Sequence, residues 1–510
     1  MLVKSFGAAV QGIDATIITV EVNISSGIKF FMVGLPDVAI KESHERILSA
    51  FNHRGYKFPR KQVIINMSPA DIRKAGSAYD LTIAMGILAA SEEIKCDKLK
   101  EYAIMGELSL DGSVVPIKGA LPIALKVKEA GFKGLIIPKA NAGEAAVVGG
   151  LDVLGVSDIS EVVGFLNDTI GITPTQPDIT TCYATNAIEC LPDFAEVKGQ
   201  EFAKRAIEVA AAGSHNILLI GSPGAGKSML AKRIPSILPP MTIDEALEST
   251  KIHSVAGLLR EGSALLHNRP FRTPHHTISN IALVGGGTFP QPGEISLAHN
   301  GVLYLDELPE FNHSALEVLR QPLEDRKITV SRVNCTVEYP ANFMLVASMN
   351  PCPCGYYGHP DKECTCLPNQ VRRYMNRISG PLLDRMDIQI DVAPLSFSEM
   401  SGQTKGESSE MIRRRVIAAR QIQNVRFKRE KNIHSNAQMT TKLIHKYAPL
   451  DNKCLQMMQI AMERLNLSAR AYDRILKVSR TVADLDGSET IKPPHIAEAI
   501  TYRTLDRNKY

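Results

Sequence analysis

The stretch Asn216-Ile-Leu-Leu-Ile-Gly221-Ser-Pro-Gly-Ala-Gly-Lys227-Ser228-Met-Leu-Ala-Lys-Arg233 decides how this 510-residue chain is read. Ile217 to Ile220 form a short apolar strand, and the chain then enters a glycine-rich loop that opens a helix. Glycines in such a loop let backbone N–H groups curl round phosphate oxygens, and the helix N-terminus adds its partial positive charge. Gly221, Ser222, Pro223, Gly224, Ala225, Gly226, Lys227 and Ser228 are therefore the expected nucleotide-binding loop. Lys227 is expected to reach the β- and γ-phosphates of ATP, and the Ser228 hydroxyl to sit on Mg²⁺. A plain glycine turn needs neither the strand before it nor the lysine and hydroxyl after it.

Working outward, Gly301-Val-Leu-Tyr-Leu-Asp306-Glu307 is a second apolar strand, ending in two adjacent carboxylates. Two acids at the end of a buried strand make sense where a cation awaits them. Asp306 is expected to hold Mg²⁺ through water, and Glu307 to orient the attacking water as a base. The plainer alternative is that the acids cap a helix beginning near Leu308. A third apolar strand, from Phe343, ends in Ser348-Met349-Asn350, whose amide can position water beside the γ-phosphate. Further on, Arg385 is expected to reach a neighbouring subunit's site, and Arg470 to touch the γ-phosphate of its own. Either arginine could instead sit in a surface salt bridge.

The remaining chain is ordinary for a globular protein. It is 44% hydrophobic and 22% charged, with a net charge of +4 that permits a local basic surface and proves nothing. No apolar run approaches membrane-spanning length, and the N-terminus lacks a basic segment followed by an apolar core. A cytoplasmic protein is expected, whose nine cysteines are thiols or metal ligands rather than disulfides. Residues 1–167 read as mixed α/β. Thr16 to Val22, Ile28 to Val33, Val63 to Met67 and Gly134 to Pro138 are predicted strands, Leu81 to Ala90 an apolar helix, and Asp111-Gly112 a hairpin turn. Residues 168–189 look like a linker, 190–395 like a parallel sheet flanked by helices, 396–435 like a polar and basic connector, and 436–510 like a helical lid.

The order of these motifs resembles AAA+ ATPases of the magnesium-chelatase group, and within it the ComM/YifB type. Val197-Lys-Gly-Gln200, Arg269-Pro-Phe-Arg-Thr-Pro-His-His276, Gly285-Gly-Gly287, Pro292-Gly-Glu-Ile-Ser296, Met349-Asn-Pro-Cys-Pro-Cys-Gly355 and Ser379-Gly-Pro-Leu-Leu-Asp-Arg385 carry the resemblance. It implies an AAA+ P-loop core, a Lon-protease-like (S5-like) N-terminal domain and a helical C-terminal lid. It also implies a hexameric homo-oligomer that moves on DNA and promotes branch migration of joint molecules in recombination during natural transformation. Lon chemistry needs a serine and a lysine. Here the resemblance sets Ala78 at the nucleophile's place and Leu121 or Ile123 at the lysine's, so a proteolytically inactive domain is expected; the alternative is a register slip that restores a dyad from Ser77 and Lys118, one and a few residues away. The ATPase subunit of magnesium chelatase, a motor for metal insertion into a porphyrin, is the alternative from another class.

Two further features stand outside the ATP site. Cys352-x-Cys354 and Cys364-x-Cys366 can together complete a tetrahedral Zn²⁺ site, with His359 as a substitute ligand. The segment Arg326 to Val337 reads as a β-hairpin offering Lys327, Arg332 and Asn334 to a DNA backbone, in a sequence-independent way. Arg413 to Lys431 is the densest positive run, and on a helix such a run is as readily a solvated face.

Overall fold

The computed structural model describes residues 2–176, 191–394 and 406–503, apart from 73, 75, 260–263, 288–289, 333–334, 431–432 and 466. Most of the expected linker, the polar stretch around residue 400, Asn334 and Lys431 lie outside the described residues. Among the described residues, no helix is long and apolar enough to cross a membrane.

The chain divides into two compact units. In the first, β1 (Leu2–Gln11) and β2 (Asp14–Ser25) pair antiparallel along their whole length, from Leu2 opposite Asn23 to Gln11 opposite Asp14. β3 (Phe30–Val33) runs parallel to β4 (Gln62–Ser68), which is antiparallel to β2, so the sheet order is β1-β2-β4-β3. Alternate residues of β4 (Val63, Ile65 and Met67) are buried, as a sheet with one core face requires. Helix α1 (Asp80–Ala90) is buried at every position, which explains an apolar run without helical periodicity. β5 (Tyr102–Ile104) starts a second, parallel sheet. β6 (Glu107–Leu108) and β7 (Val114–Val115) form the predicted hairpin, with Gly112 at φ +90°. β8 (Gly134–Pro138) and β9 (Asp152–Val156) complete the sheet in the order β5-β8-β9.

Two pieces of the span 190–395, which the sequence suggests as the ATPase core, group elsewhere in the structure. Ile243–His267 and Pro290–Pro292 group with the first unit. The helix Ile243–Ala256 is tied there by the Ser254 hydroxyl, which donates to the buried Glu144 carboxylate, and by Gly119 N–H to the Ser254 carbonyl at 3.2 Å. A buried carboxylate needs such donors, and the sequence gives no sign that they come from so far along the chain.

The second unit is built on a five-stranded parallel sheet. β10 (Ile217–Ile220), β11 (Phe271–Arg272), β12 (Val302–Leu305), β15 (Met344–Met349) and β16 (Ile388–Asp391) lie in the order β11-β12-β15-β10-β16, with helix Glu201–Gly213 (α2) just before β10 and Lys227–Ile237 (α3) just after it. β13 (Lys327–Arg332) and β14 (Cys335–Pro340) form a separate antiparallel hairpin just before β15. All four residues of β10 and of β12 and all six of β15 are buried, the signature of a sheet covered on both faces.

The C-terminal region is joined to this sheet by polar groups. Where a connector was expected, α4 (Ser409–Phe427) runs for 19 residues and buries Ile412, Val416, Ala419, Gln423 and Phe427 in the core. α5 (Ala469–Leu485) brings Thr481 within 2.8 Å of His215 Nε2, while His215 Nδ1 lies 3.3 Å from Asp387. Arg474 donates to the other oxygen of Asp387 at 2.8 Å. Burial alone would push the Asp387 carboxyl up, but Arg474 and the His215 bond outweigh it and hold it well below the usual range.

Candidate functional site

In open parallel sheets, ligands sit beyond the carboxyl ends of the strands. Here Ile220 lies opposite both Met349 and Asp391, and Leu305 lies opposite Ala347. The residues that follow each strand (Gly221, Asp306 and Asn350) therefore meet at one edge. Gly224 and Gly226 adopt φ of +81° and +87°, a region that a side chain would make costly, and Gly226 is the N-cap of α3.

Lys227 Nζ donates to the carbonyls of Gly221 at 2.6 Å and Ser222 at 2.9 Å, and to Asn350 Oδ1 at 3.1 Å. Burial holds its ammonium below the ordinary lysine range, with Asp306 and Glu307 opposing. The Ser228 hydroxyl donates to Asp306 Oδ2 at 2.7 Å. Burial would raise the Asp306 carboxyl, but hydrogen bonds from Ser348, Ser228 and Tyr304 prevail and keep it below the usual carboxylate range, hence ionised. Ser222 Oγ is buried with no hydrogen-bond partner among the described residues. An ammonium, a hydroxyl–carboxylate pair, left-handed glycines and an unpaired buried hydroxyl at one helix N-terminus fit a magnesium-bound triphosphate.

Glu307 does not cap the short helical turn Leu308–Glu310, since its side chain makes no cap hydrogen bond. Its backbone is left-handed, φ 53°, and its carboxylate is about half exposed, 3.7 Å from His276 Nδ1. A non-glycine residue held in that region marks a local strain that the surroundings impose. Two groups that the sequence reading gave no role stand beside it. Ser348 is fully buried; its hydroxyl donates to Asp306, and it accepts from Tyr304 OH at 3.2 Å and Glu307 N–H at 3.4 Å. His276 faces the Glu307 carboxylate, and its ring lies 4.1 Å from that of His275. Only the clustering of polar residues in the 269–276 motif hinted at the histidine.

The two arginines are placed differently. Arg470 is 70% exposed at the start of α5 and pairs with Asp384 at 3.0 Å. Arg385 is buried, paired with Glu324 and donating to the Pro381 carbonyl at 2.5 Å.

The four cysteine sulfurs lie within 4.8 Å of one another. Sγ–Sγ distances are 3.3 Å for Cys352–Cys354, 3.6 Å for Cys352–Cys364 and 3.5 Å for Cys354–Cys364, and the Cys354 N–H points at Cys366 Sγ at 3.4 Å. The backbone N–H of Tyr356 is the main cause that brings the Cys354 thiol down to about 5. His359 is not part of the group; its Nδ1 accepts N–H bonds from Asp361 and Lys362 in its own turn.

On the hairpin, Lys327 is exposed and pairs with Glu338 at 2.5 Å, while Arg332 occupies the last position of β13. Most of the basic run is neither a solvated face nor a free patch. Arg415 pairs with Glu208 and Glu407, Arg426 with Asp484, and Arg420 donates to Ala211 and Ser214. In the first unit no hydrogen bond joins Ser77 to Lys118 among the described residues, and the Lys118 stem lies against Gly257. Leu121 and Ile123 are buried.

Three family models match this chain: magnesium chelatase, subunit ChlI, over residues 193–400; subunit ChlI of Mg-chelatase over 20–141; and the ChlI C-terminal model over 406–503. The chain is 42% identical to the competence protein ComM of Haemophilus influenzae, over 98% of this chain and 97% of the relative. It is 43% identical to YifB of Escherichia coli, over 98% and 96%. The similarity to the magnesium-chelatase 67 kDa subunit of Heliobacterium mobile is 26%, over 46% of this chain and 38% of that subunit.

Proposed function

The chain belongs to the ComM/YifB-type magnesium-chelatase-like family, and from that premise we propose that it is an ATP-hydrolysing hexameric ring motor that acts on DNA. Its task in this reading is branch migration of joint molecules during the recombination that follows DNA uptake, in the cytoplasm. The observation that carries the proposal is similarity to a competence protein along nearly the whole of both chains. Similarity to a chelatase subunit covers less than half of this one.

In the proposed cycle Lys227 grips the β- and γ-phosphates, and Ser228 with Asp306 holds the hydrated magnesium ion. Mg²⁺ held by Ser228 and Asp306 would supply positive charge to offset what develops on the phosphates. Glu307 accepts a proton from the attacking water, Ser348 fixes the carboxylate neighbour, and Asn350 orients the water from the other side. Arg470 is readily recruited, because an exposed pair such as Arg470–Asp384 is worth only about 0–1 kcal/mol. Arg385 is bound more firmly. Its role in a neighbour's site requires release from Glu324, a cost that subunit contact has to offset. The Lon-protease-like first unit is proteolytically inactive in this account, since Ala78 stands at the nucleophile's place and Leu121 or Ile123 at the lysine's.

A porphyrin-metallating motor is the rival, supported by the family descriptions and by the partial similarity to a chelatase subunit. ATP turnover measured with duplex DNA, single strands, or a porphyrin with its chelatase partners separates the two. Stimulation by DNA is expected. Stimulation by the porphyrin system and none by DNA would overturn the proposal.

A further inference from the structure

The cysteine cluster is not an isolated feature of the surface. Its first turn is closed by Gly355 N–H donating to the Cys352 carbonyl at 3.0 Å. At Gly355, φ is +85°, and a Cβ built there would lie 2.5 Å from Pro223 Cδ and 2.7 Å from Cγ. Pro223 is the third residue of the phosphate loop, so the cysteine turn rests directly on that loop with no room for a methyl group. A second link runs through Asn350, two residues before the fully buried Cys352, because its side chain accepts from Lys227 Nζ at 3.1 Å.

The sulfur spacing argues for a metal. A disulfide holds its sulfurs about 2.05 Å apart. The edge of a tetrahedron built on Zn–S bonds of about 2.3 Å is about 3.8 Å. The observed 3.3–3.6 Å among Cys352, Cys354 and Cys364 is far from the first and near the second. The Cys366 sulfur lies within 4.8 Å of the other three, and the Cys354 N–H aimed at it is the kind of outer contact that steadies a thiolate ligand.

We propose that Cys352, Cys354, Cys364 and Cys366 hold one structural Zn²⁺, and that the metal-closed turn braces the phosphate loop through Gly355 on Pro223. The metal takes no part in hydrolysis. It fixes a turn that keeps Pro223 and Asn350 where nucleotide binding needs them. The inference rests on the nucleotide reading of the Gly221–Ser228 loop, and the test keeps the two apart.

Full-length protein, never exposed to chelator, should contain about one zinc per chain. After stripping by a thiol-competent chelator and dialysis into magnesium buffer, its Kd for a fluorescent ADP analogue should rise about tenfold, or about 1.4 kcal/mol. One equivalent of Zn²⁺ should restore it. Gly355→Ala leaves every thiolate in place, so it should retain zinc and still bind the analogue about tenfold more weakly. This arm does not depend on the stripped protein staying folded. Zinc-free protein as purified would overturn the proposal, and so would wild-type affinity in Gly355→Ala. Unimpaired binding by Lys227→Ala would instead overturn the nucleotide reading beneath it.

Discussion

At the residue scale the account turns on Glu307, which is exposed, left-handed and free of any capping bond. Its neighbour Asp306 is committed to Ser228 and Ser348, so the two adjacent acids cannot exchange roles. Glu307→Gln keeps the side-chain shape and removes the base. It should bind ATP normally and hydrolyse it about 10²-fold or more slowly in a single-turnover assay. Hydrolysis near the wild-type rate would remove Glu307 from the role. The strand and the two acids were legible because an apolar run ending in carboxylates has few other meanings. Ser348 was not, since a serine in a buried strand looks like filler until the register sets it beside Asp306.

A second residue-scale expectation concerns His215. Burial holds its pKa below the ordinary histidine value, and the groups facing it are Asp387, Thr481, Lys477 and Arg474. The folded form is therefore neutral, while the unfolded chain takes up a proton near its normal pKa of about 6.5. The unfolded state thus binds more protons as pH falls, so this stability is fully present above that value and is lost below it. Thermal unfolding of the second unit should move to lower temperature between about pH 7.5 and pH 5.5, with a shallower slope in His215→Gln. An equal slope in the two proteins would assign the effect to other groups.

At the scale of the element, the hairpin and the helix Ser409–Phe427 teach opposite lessons. The hairpin was legible from alternating β-branched residues flanking a polar turn, and β13 pairs with β14 from Lys327–Pro340 to Arg332–Cys335. Its exposed Lys327–Glu338 pair is worth about 0–1 kcal/mol and leaves the lysine available to a phosphate backbone. Arg332→Ala should keep basal ATP turnover and abolish its stimulation by DNA, a stimulation that in the wild-type chain should itself weaken as salt rises. Undiminished stimulation would remove the hairpin from the DNA path. The helix misled because consecutive arginines point in different directions. Arg413 bonds the Leu238 carbonyl and Arg415 meets Glu208, while Arg414 stays on the surface with Glu410. Charge counting along the chain cannot see such buried acids. The first strand was also missed, since Gly7-Ala8-Ala9 argues against a strand until β2 pairs with it.

At the scale of the whole molecule, the order of motifs made the family legible, whereas the grouping of one helix was not. Helix Ile243–Ala256 lies in sequence between the phosphate loop and the second acid strand, yet it belongs to the first unit. Its attachment depends on Glu144 meeting Ser254, a contact 110 residues apart that no local pattern signals. A motor reading makes a demand that a simple ATPase does not, namely that turnover does work on DNA. The direct measurement is the fate of a labelled four-way DNA junction with homologous arms, incubated with the protein, Mg²⁺ and ATP. The account predicts that the wild-type chain resolves it into duplex products only with hydrolysable ATP, and that Glu307→Gln binds the junction and leaves it intact. A wild-type preparation that turns over ATP in the presence of the junction and yet never moves its branch point would contradict the account.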